Sequence, residues 1–419
     1  MSNTENLLTP SSKGVSLIVS RQLLIMERLF RERDLALYVD EFNVPSDGTF
    51  EEAVKKTRPG GIIRIGAGKH HLEYGITITK PLSIKGEGYA ACLVCSSVSG
   101  AIISIKTAGV FSIEGLTIEI TREYAEDILK ISADRAIIKY CNIIGNNFSI
   151  NRYSSSGIDF YECQSGLIEN TTVTSCHTGI QVYNSANIQI IDCHSNNNKS
   201  TGISLRRSVN CELKANLCDE NMYGGMIFSE STGSANDNIC RLNKGDGIGI
   251  YSHSSADLAG NTCENNEWGG IGFRKSSTGS AYDNTCRFNK WEGIRIYDHS
   301  SADLTGNTCE NNEWGGITFD KSSRGLAEGN TCRLNKQNGI RVEDQSNADV
   351  TGNICEENGG CGIYFDESST GTAERNICKF NKLYDIRCAS QSNVKLTDNV
   401  YKDDKLSVTT SKNPESNHS

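Results

Sequence analysis

The chain has 419 residues and a formal net charge of −9, and it contains 40 glycines, 5 prolines and 7% aromatic residues. Abundant glycine with few aromatic residues favours a repetitive β architecture with many tight turns over a helical enzyme. The chain has no long basic block, so we expect no nucleic-acid partner. No apolar run reaches the roughly 18 residues of a transmembrane span, so we expect no membrane partner either.

The first patterns along the chain are helical. Residues 15–37 carry apolar side chains at helical spacing, and residues 50–56 form a second short helical pattern. Because each end of a solenoid must be covered, we predict a short N-terminal helical cap over residues 13–58, after a disordered tail at residues 1–12. Recruitment of a partner by residues 15–37 is the alternative. Arg21 interrupts the apolar run that a secretory signal would need, which predicts a cytoplasmic protein.

A long β region follows at residues 59–405, and we predict a second disordered tail at residues 406–419. Up to residue 150 the β region has short alternating segments without a repeated motif. Two imperfect coils come next. The spacing places Thr172 and Cys193 in equivalent positions of these coils, with an insertion of two residues in the second coil.

From residue 218 onward the sequence repeats every 22 or 23 residues. Each repeat has a cysteine, an asparagine two residues before it, another asparagine three residues after it and, in most copies, Gly-Ile seven and eight residues after it. The eight cysteines are Cys218, Cys240, Cys263, Cys286, Cys309, Cys332, Cys355 and Cys378. The pattern predicts stacked coils about 4.8 Å apart, in which short parallel strands share one apolar core. Asparagine suits the corners because it tolerates a left-handed backbone and can bond to the equivalent amide one coil away.

A longer period of 46 residues is superimposed on the first. The tenth residue after each cysteine alternates between Phe and Ile or Val, and the segment at 263–271 recurs at 309–317. We interpret a pair of coils as the unit that was duplicated, which also explains why His253 and His299 recur.

The cysteines are predicted to be free. Equivalent cysteines in stacked coils would have Cβ atoms about 4.8 Å apart, whereas a disulfide needs about 3.8 Å. We therefore expect thiols that pack as small apolar side chains in a reducing compartment. A straight row also lacks the four convergent ligands of a structural zinc site, so we expect no metal and no cofactor.

Several segments resemble a known family. Residues 50–69, and then Pro81-Leu-Ser-Ile-Lys-Gly-Glu-Gly, are similar to the N-terminal entry of pectin-lyase-like β-helices. The 23-residue units resemble the parallel β-helix repeats of carbohydrate-binding proteins and sugar hydrolases. The resemblance implies an all-β, single-stranded right-handed parallel β-helix. It implies less about function, because one fold hosts many activities. Polysaccharide-cleaving members carry paired carboxylates or calcium-binding aspartates on the outward face of an equivalent strand.

The outward positions of the Gly-Ile strand provide candidate site residues. The catalytic candidates are the carboxylates Asp298, Asp320 and Glu343, with Arg295 and Arg341. The binding candidates are an aromatic row five residues after successive cysteines, with two neighbours on the strand: Tyr223, Trp268, Trp291 and Trp314, with Arg274 and Tyr297. Such a row could stack on sugar rings or anchor a protein. The alternative is an ordinary solvated face with aromatic turns copied by duplication.

From the sequence we favour a non-enzymatic binding or scaffold protein that uses the long face of the β-helix to recognise a protein or a glycan. The alternative is a carbohydrate-active enzyme, namely a polysaccharide lyase, hydrolase or epimerase, with carboxylates on the strand face. A third hypothesis is a structural unit that stacks end to end.

Overall fold

The computed structural model describes residues 38–96, 101–121, 126–146, 155–401 and 406–408. These residues form an all-β, right-handed parallel solenoid of about 15 turns, which confirms the predicted β-helix. Each turn has three sides, and strands of successive turns pair in parallel on each side. In chain order we call these sides the cysteine face, the charged face and the polar face. The first corner follows the cysteine face, the second follows the charged face, and the third follows the polar face.

The cysteine face is a sheet of 15 short strands. They are Gly68–Leu72, Ala91–Cys95, Thr117–Ile120, Asn142–Ile144, Thr172–Thr174, His194–Asn196, Leu217–Asp219, Ile239–Arg241, Thr262–Glu264, Thr285–Arg287, Thr308–Glu310, Thr331–Arg333, Ile354–Glu356, Ile377–Lys379 and Val400–Tyr401. From Cys218 to Cys378 the central residue of each strand is the repeat cysteine, and it pairs with the cysteines of the neighbouring coils.

The charged face carries the Gly-Ile strands. Its strands are Ile76–Ile78, Ser156–Tyr161, Thr178–Tyr183, Ile203–Arg206, Met226–Ser229, Ile248–Tyr251, Ile271–Arg274, Ile294–Tyr297, Ile317–Asp320, Ile340–Val342, Ile363–Phe365, Ile386–Cys388 and Leu406–Val408. Two longer strands, Ile103–Glu114 and Leu129–Lys139, begin on this face and continue around the second corner onto the polar face.

The polar face completes each turn. Its strands are Val39–Val44, Thr57–Ile65, Ser83–Gly86, Ser165–Glu169, Ile188–Ile191, Cys211–Lys214, Thr232–Asn236, Ser255–Ala259, Thr278–Tyr282, Ser301–Thr305, Arg324–Glu328, Asn347–Thr351, Thr370–Glu374 and Asn393–Thr397. A single 3-10 turn, Gly88–Ala90, precedes the second strand of the cysteine face.

One α-helix, Phe50–Lys56, lies near the N-terminal end of the described residues. The Thr49 side chain accepts a hydrogen bond from the backbone N–H of Glu52, and the Glu52 side chain accepts one from the backbone N–H of Thr49. These two bonds form a capping box at the start of the helix. The strand Val39–Val44, inside the range predicted as a helical cap, pairs in parallel with Thr57–Ile65. The predicted helix at 15–37 and the predicted tail at 1–12 lie outside the described residues, so an N-terminal helical cap is not confirmed. Within the other predicted tail, Leu406–Val408 is a strand paired with Ile386–Cys388.

The predicted asparagine ladders are confirmed at the first and third corners. At the third corner, Oδ1 of Asn307 accepts bonds from the backbone N–H and Nδ2 of Asn284, at 3.0 and 2.9 Å. Nδ2 of Asn307 donates to the carbonyl of Ala281 at 2.8 Å. The first corner repeats this arrangement, for example between Asn289 and Asn312. The buried amides are thus satisfied by the coils on either side, which fixes the register between coils.

A serine ladder, which the sequence analysis overlooked, holds the second corner. The backbone N–H of Ser254 donates to Oγ of Ser277 at 3.3 Å, and Ser277 repeats this bond to Ser300 at 3.1 Å. The signal is present in the sequence, because Ser254, Ser277, Ser300, Ser323, Ser346 and Ser369 are spaced by 23 residues.

Two positions in the imperfect coils were predicted wrongly. Val173, rather than Thr172, occupies the cysteine position, since it pairs with Ser195, which pairs with Cys218. Cys193 stands instead in the asparagine column, because its backbone N–H donates to Oδ1 of Asn216 at 2.9 Å. The coil therefore needs no insertion of two residues.

The core explains the period of 46 residues. In one kind of coil Phe273 on the charged face accompanies Ala281 on the polar face, and in the next kind Ile296 accompanies Leu304; all four are buried. The large phenyl ring is thus matched by a small side chain on the other face, whereas Ile296 and Leu304 are both of intermediate size, so each pair contributes eight side-chain carbon atoms to the core. At Gly325 (φ +156°) an added Cβ would lie 1.9 Å from the carbonyl of Ala302, so the backbone there requires glycine.

All 17 cysteines are buried, and none of them forms a disulfide. The repeat cysteines have no exposed surface, as expected for small side chains that fill a narrow side of the core. Burial raises the pKa of Cys141 and Cys163 to about 11, so these thiols are protonated at neutral pH.

Candidate functional site

The charged face brings together four of the five predicted catalytic residues. Arg295 and Arg341 take outward positions on strands two coils apart, with Thr318 between them in the pairing register. Asp320 ends the middle strand, and Glu343 directly follows the strand of Arg341. Because equivalent positions in successive coils lie about 4.8 Å apart, these side chains form one cluster.

Two ion pairs hold this cluster. Nη2 of Arg295 lies 2.5 Å from Oδ2 of Asp320, and the side chains are 17% and 5% exposed. Arg341 pairs with Glu343, whose side chain is also largely buried. Within the described part of the chain, Oδ1 of Asp320 and the Nε atoms of Arg295 and Arg341 are buried without a hydrogen-bond partner. Buried polar atoms without a partner are costly to leave unpaired.

Glu343 has an unusual protonation equilibrium. Burial raises the pKa of its carboxyl to about 7, against the attraction of Arg341, and the negative charges of Asp320, Asp344 and Asp366 add to the rise. Burial and Asp320 also raise the pKa of Asp344. A carboxyl that is partly protonated at neutral pH can donate or accept a proton during a reaction.

Asp298, the fifth catalytic candidate, does not join the cluster. It lies at the second corner with a positive φ of 58°. Among the described residues its side chain makes no ion pair or hydrogen bond, while its carbonyl accepts a bond from the backbone N–H of Ser276. We therefore assign it to the corner rather than to the site.

The predicted aromatic row forms a stack beside this cluster. Trp268 and Trp291 are stacked with ring centroids 5.5 Å apart, Trp291 and Trp314 are stacked at 6.0 Å, and Tyr223 meets Trp268 edge-on at 5.6 Å. The rings of Trp268 and Trp291 therefore cover each other's faces. Trp314 is stacked on one neighbour within the described part and is 42% exposed, so it offers the larger open surface.

Two arginines connect the stack to the ion pairs. The guanidinium of Arg274 lies 5.2 Å from the ring of Trp268 and 6.0 Å from that of Trp291. Arg295 lies 5.9 Å from Trp291 and 4.5 Å from Tyr297. These cation–π contacts place the binding candidates and the catalytic candidates on one continuous surface.

The sequence analysis missed a polar group at one end of this surface. Asp246 accepts a bond from the Tyr251 hydroxyl at 2.6 Å and another from the backbone N–H of Gly269 at 2.9 Å, and it pairs with Arg274 at 2.7 Å. Glu292 occupies the equivalent position two coils on; burial raises its pKa, and its Oε2 has no partner among the described residues. The sequence contained a signal for these residues, because Asp246 and Glu292 stand at a position where the intervening coils have glycine.

A second missed group lies nearer the N-terminus of the same face. Asp127 and Asp159 are buried, and Lys130 bridges them at 3.7 and 4.0 Å. Burial and the charge of Asp127 raise the pKa of Asp159 to about 7, and burial raises the pKa of Asp127. Nε2 of Gln181 donates to Asp159 at 3.3 Å. Lys130 also borders a cavity of about 450 Å³.

Two general features bear on the kind of site. Across the described ranges, no cluster of three or more His, Cys, Asp or Glu side chains is arranged to hold a metal ion. In the same part of the chain, no helix is long and apolar enough to cross a membrane.

Comparisons with known proteins place the chain. Curated proteins give no match. Among solved structures, the catalytic unit of an α-1,3-glucanase from Streptomyces thermodiastaticus is 11% identical with a TM-score of 0.50, covering 87% of this chain and 69% of that one. The pre-mature gene product 12 of bacteriophage phi29 is 12% identical with a TM-score of 0.54, covering 84% and 54%. The A-module of an Azotobacter vinelandii mannuronan C-5 epimerase is 13% identical with a TM-score of 0.46, covering 84% and 91%.

These structural likenesses concern the fold alone, because the identities are low. The sequence itself gives a more direct result. The family model described as the right handed beta helix region matches residues 127–285 and, in an overlapping second match, residues 253–401. Together the matches cover more than half of the chain, which therefore belongs to the right-handed β-helix family.

Proposed function

We propose that the charged face is the active site of an enzyme that acts on a polysaccharide, as a hydrolase, lyase or epimerase. The observation that carries this proposal is the pairing of Glu343, whose pKa is raised to about 7, with nearby Asp320, which Arg295 binds. Two carboxyl groups in different environments can divide the roles of acid and base.

The side chains of the charged face suggest a separate catalytic role for each group. Protonated Glu343 would donate a proton to the departing oxygen of a sugar, or its ionised form would take a proton from the ring. Asp320, which pairs with Arg295, would stabilise positive charge developing on the sugar. The guanidinium groups of Arg295 and Arg341, whose side chains are 17% and 31% exposed, would bind hydroxyl or carboxylate oxygens and orient the sugar.

The aromatic stack supports binding less than the sequence suggested. Trp291 is stacked between Trp268 and Trp314, so both of its faces are covered, and Trp291 covers one face of Trp268. Trp314 retains open surface and would serve as one platform for a sugar ring. The non-enzymatic binder favoured by the sequence rested on the rigid repeat scaffold, the aromatic row and the lack of a catalytic constellation, so the carboxyl cluster now supports the enzymatic alternative better.

The test is incubation of the full chain with a panel of acidic and neutral polysaccharides, with and without calcium. Reducing ends report hydrolysis, ultraviolet absorbance of unsaturated uronates reports elimination, and proton NMR reports epimerisation. Glu343→Gln should abolish turnover and retain binding in affinity electrophoresis. Glu328→Gln, on the polar face, is the matched control and should remain active. Absence of turnover across the panel, or full activity of Glu343→Gln, would contradict the proposal.

The pH profile provides a second readout. If Glu343 acts as the acid, kcat/KM should fall as pH rises through about 7, because its proton is lost there. If it acts as the base, the rate should rise over the same range. A profile without a transition near neutrality would remove Glu343 from the reaction.

A further inference from the structure

Exposed apolar residues recur at one position of the first corner. Leu242, Phe288, Leu334 and Phe380 each follow a repeat cysteine by two residues, and their exposed fractions lie between 44% and 53%. All four have a left-handed backbone, with φ between 55° and 60°. Large apolar residues rarely adopt this conformation, whereas asparagine does so readily. The three intervening coils carry polar residues at this position, Asn265, Asn311 and Glu357.

The position therefore combines two unfavourable features, an apolar side chain in water and a strained backbone. Strain that recurs at a defined place is a reason to look for a function. Because the four residues occur in every second coil, they form a straight row with a spacing of about 9.6 Å. A partner for this row must offer a matching periodic surface.

The charges beside the row indicate what that partner is. One residue after each repeat cysteine, the sign of the charge alternates without a break through eight coils. In chain order the residues are Asp219, Arg241, Glu264, Arg287, Glu310, Arg333, Glu356 and Lys379. Neighbours within the chain already pair, as do Arg287 with Glu264 at 2.8 Å and Arg333 with Glu310 at 2.7 Å.

When this row of eight charged residues is read in the opposite direction, each basic residue takes the place of an acidic one. If a second copy runs antiparallel, with a two-fold axis between Arg287 and Glu310, then Arg287 of each copy faces Glu310 of the other. In the same arrangement Glu264 faces Arg333, and the outer pairs match as well. A parallel copy in register would instead oppose like charges, which is destabilising. The apolar residues of the two copies would interdigitate, because each lies opposite a coil that carries a polar residue.

The size of the surface is compatible with a specific dimer. Eight coils about 4.8 Å apart give a length of roughly 34 Å, and six residues of the cysteine face and first corner give a width of roughly 18 Å. Each copy would bury about 600 Å², or about 1,200 Å² in total, which is at the lower end of the range for specific complexes.

We propose that the cysteine face and the first corner, from Asp219 to Lys382, bind a second copy of this chain in an antiparallel, two-fold symmetric dimer. This contact does not use the ion pairs of the charged face, and sedimentation detects it whether or not the proposed enzymatic activity exists. The row of Leu242, Phe288, Leu334 and Phe380 supplies the apolar contact, and the alternating charges select the orientation.

The test is sedimentation velocity of the full chain over a range of micromolar concentrations. The wild type should form a dimer, and the double variant Phe288→Asn, Leu334→Asn should sediment as a monomer with its circular dichroism spectrum unchanged. Tyr282→Thr removes an exposed aromatic residue from the polar face, where Thr305 holds the same position, and should remain a dimer. A monomeric wild type at every concentration, or a dimeric double variant, would overturn the proposal.

A charge exchange tests the orientation. Arg287→Glu and Glu310→Arg should each abolish the dimer, since each opposes like charges across the axis. An equimolar mixture of the two variants should restore a dimer, because every pair across the axis is then opposite in sign. Failure of the mixture to associate, while the wild type dimerises, would overturn the antiparallel arrangement.

Discussion

Residues 38–190 and residues 191–401 build the same three-sided cross-section by different means. In the first region, equivalent positions of neighbouring coils are 25 residues apart at Cys92 and Thr117, but 30 apart at Asn142 and Thr172. In the second region the separation is 22 or 23 residues throughout. Both regions bury alternating apolar residues in one core, but within the described residues the asparagine ladders run through the second region.

The comparison separates what forms the fold from what makes it regular. Inward apolar residues and parallel strand pairing suffice to close a coil, as the first region demonstrates. The asparagine ladders add a constraint on length, because each amide must meet its equivalent in the next coil. The first region, free of that constraint, contains the longer coils and the buried pair Asp127 and Asp159.

The largest expected effect on stability comes from breaking the asparagine ladder at the third corner. Asn307→Ala removes the acceptor for two bonds from Asn284 and the donors to Ala281 and Asn330. We expect a loss of about 4 kcal/mol in the free energy of unfolding, measured by urea denaturation. In the first region, Thr171→Val removes two weaker bonds at the same corner and should lose about 1 kcal/mol. Equal losses would contradict the distinction between the regions.

The next effect concerns pH and belongs to the first region. The folded-state pKa of Asp159, about 7, lies above its ordinary value of 3.8. The folded chain therefore holds a proton that the unfolded chain releases, and stability should fall as pH rises between about 4 and 7. Asp159→Asn should remove this loss and stabilise the protein above pH 7 by up to about 4 kcal/mol.

Denaturation curves at several pH values check this prediction. Asp159→Asn should have little advantage at about pH 3, where the wild-type carboxyl is largely protonated in both states. The matched control is Asp257→Asn on the polar face of the second region, which should not alter the pH dependence. A wild type whose stability does not fall over this range would be inconsistent with the assigned pKa.

A smaller effect tests the matched core volumes of the second region. Ala281→Leu should overpack the core beside Phe273, and Phe273→Ile should leave a cavity, each with a loss of about 2 kcal/mol. The double variant reproduces the pair found at Ile296 and Leu304 and should recover most of that stability. Thermal denaturation of the four proteins measures the coupling, and additive losses would disprove the volume explanation.

The smallest effect concerns the strained corner. Phe288→Asn relieves a left-handed backbone and should raise the free energy of unfolding by about 1 kcal/mol under monomeric conditions. The reverse change, Asn311→Phe, should lower it by a similar amount in the next coil. Both are measured by urea denaturation at low protein concentration. If Phe288→Asn instead lowers the free energy of unfolding, local packing of the phenyl ring stabilises the protein by more than the left-handed backbone destabilises it.

Much of the fold could be predicted because the same interactions recur in every coil. A corner asparagine and an inward isoleucine each occur at fixed spacing, so the sequence itself displays the cross-section. The same regularity caused the errors in the imperfect coils. Cys193 was taken for a repeat cysteine, although its neighbours in space make it part of the asparagine column. Residue type alone does not reveal which column a position belongs to.

The site was less predictable for a different reason. Arg295, Asp320, Arg341 and Glu343 were found because they occupy repeat positions, and the spacing placed them side by side. Their burial and the raised pKa of Glu343 depend on the conformations in which these long side chains pack against one another. The spacing of residues in the sequence does not determine those conformations. Asp127 and Asp159 lie in coils of irregular length, so no spacing connected them.

The matched core volumes have a consequence for how this molecule can change in size. A pair of coils contributes one Phe–Ala layer, one Ile–Leu layer, one basic residue and one acidic residue to the cysteine face, so a whole pair can be inserted or lost without altering any neighbour. Each pair extends the molecule by about 9.6 Å. The length of the β-helix can thus change in steps of one coil pair by duplication. The two ends and the charge balance of the cysteine face stay the same.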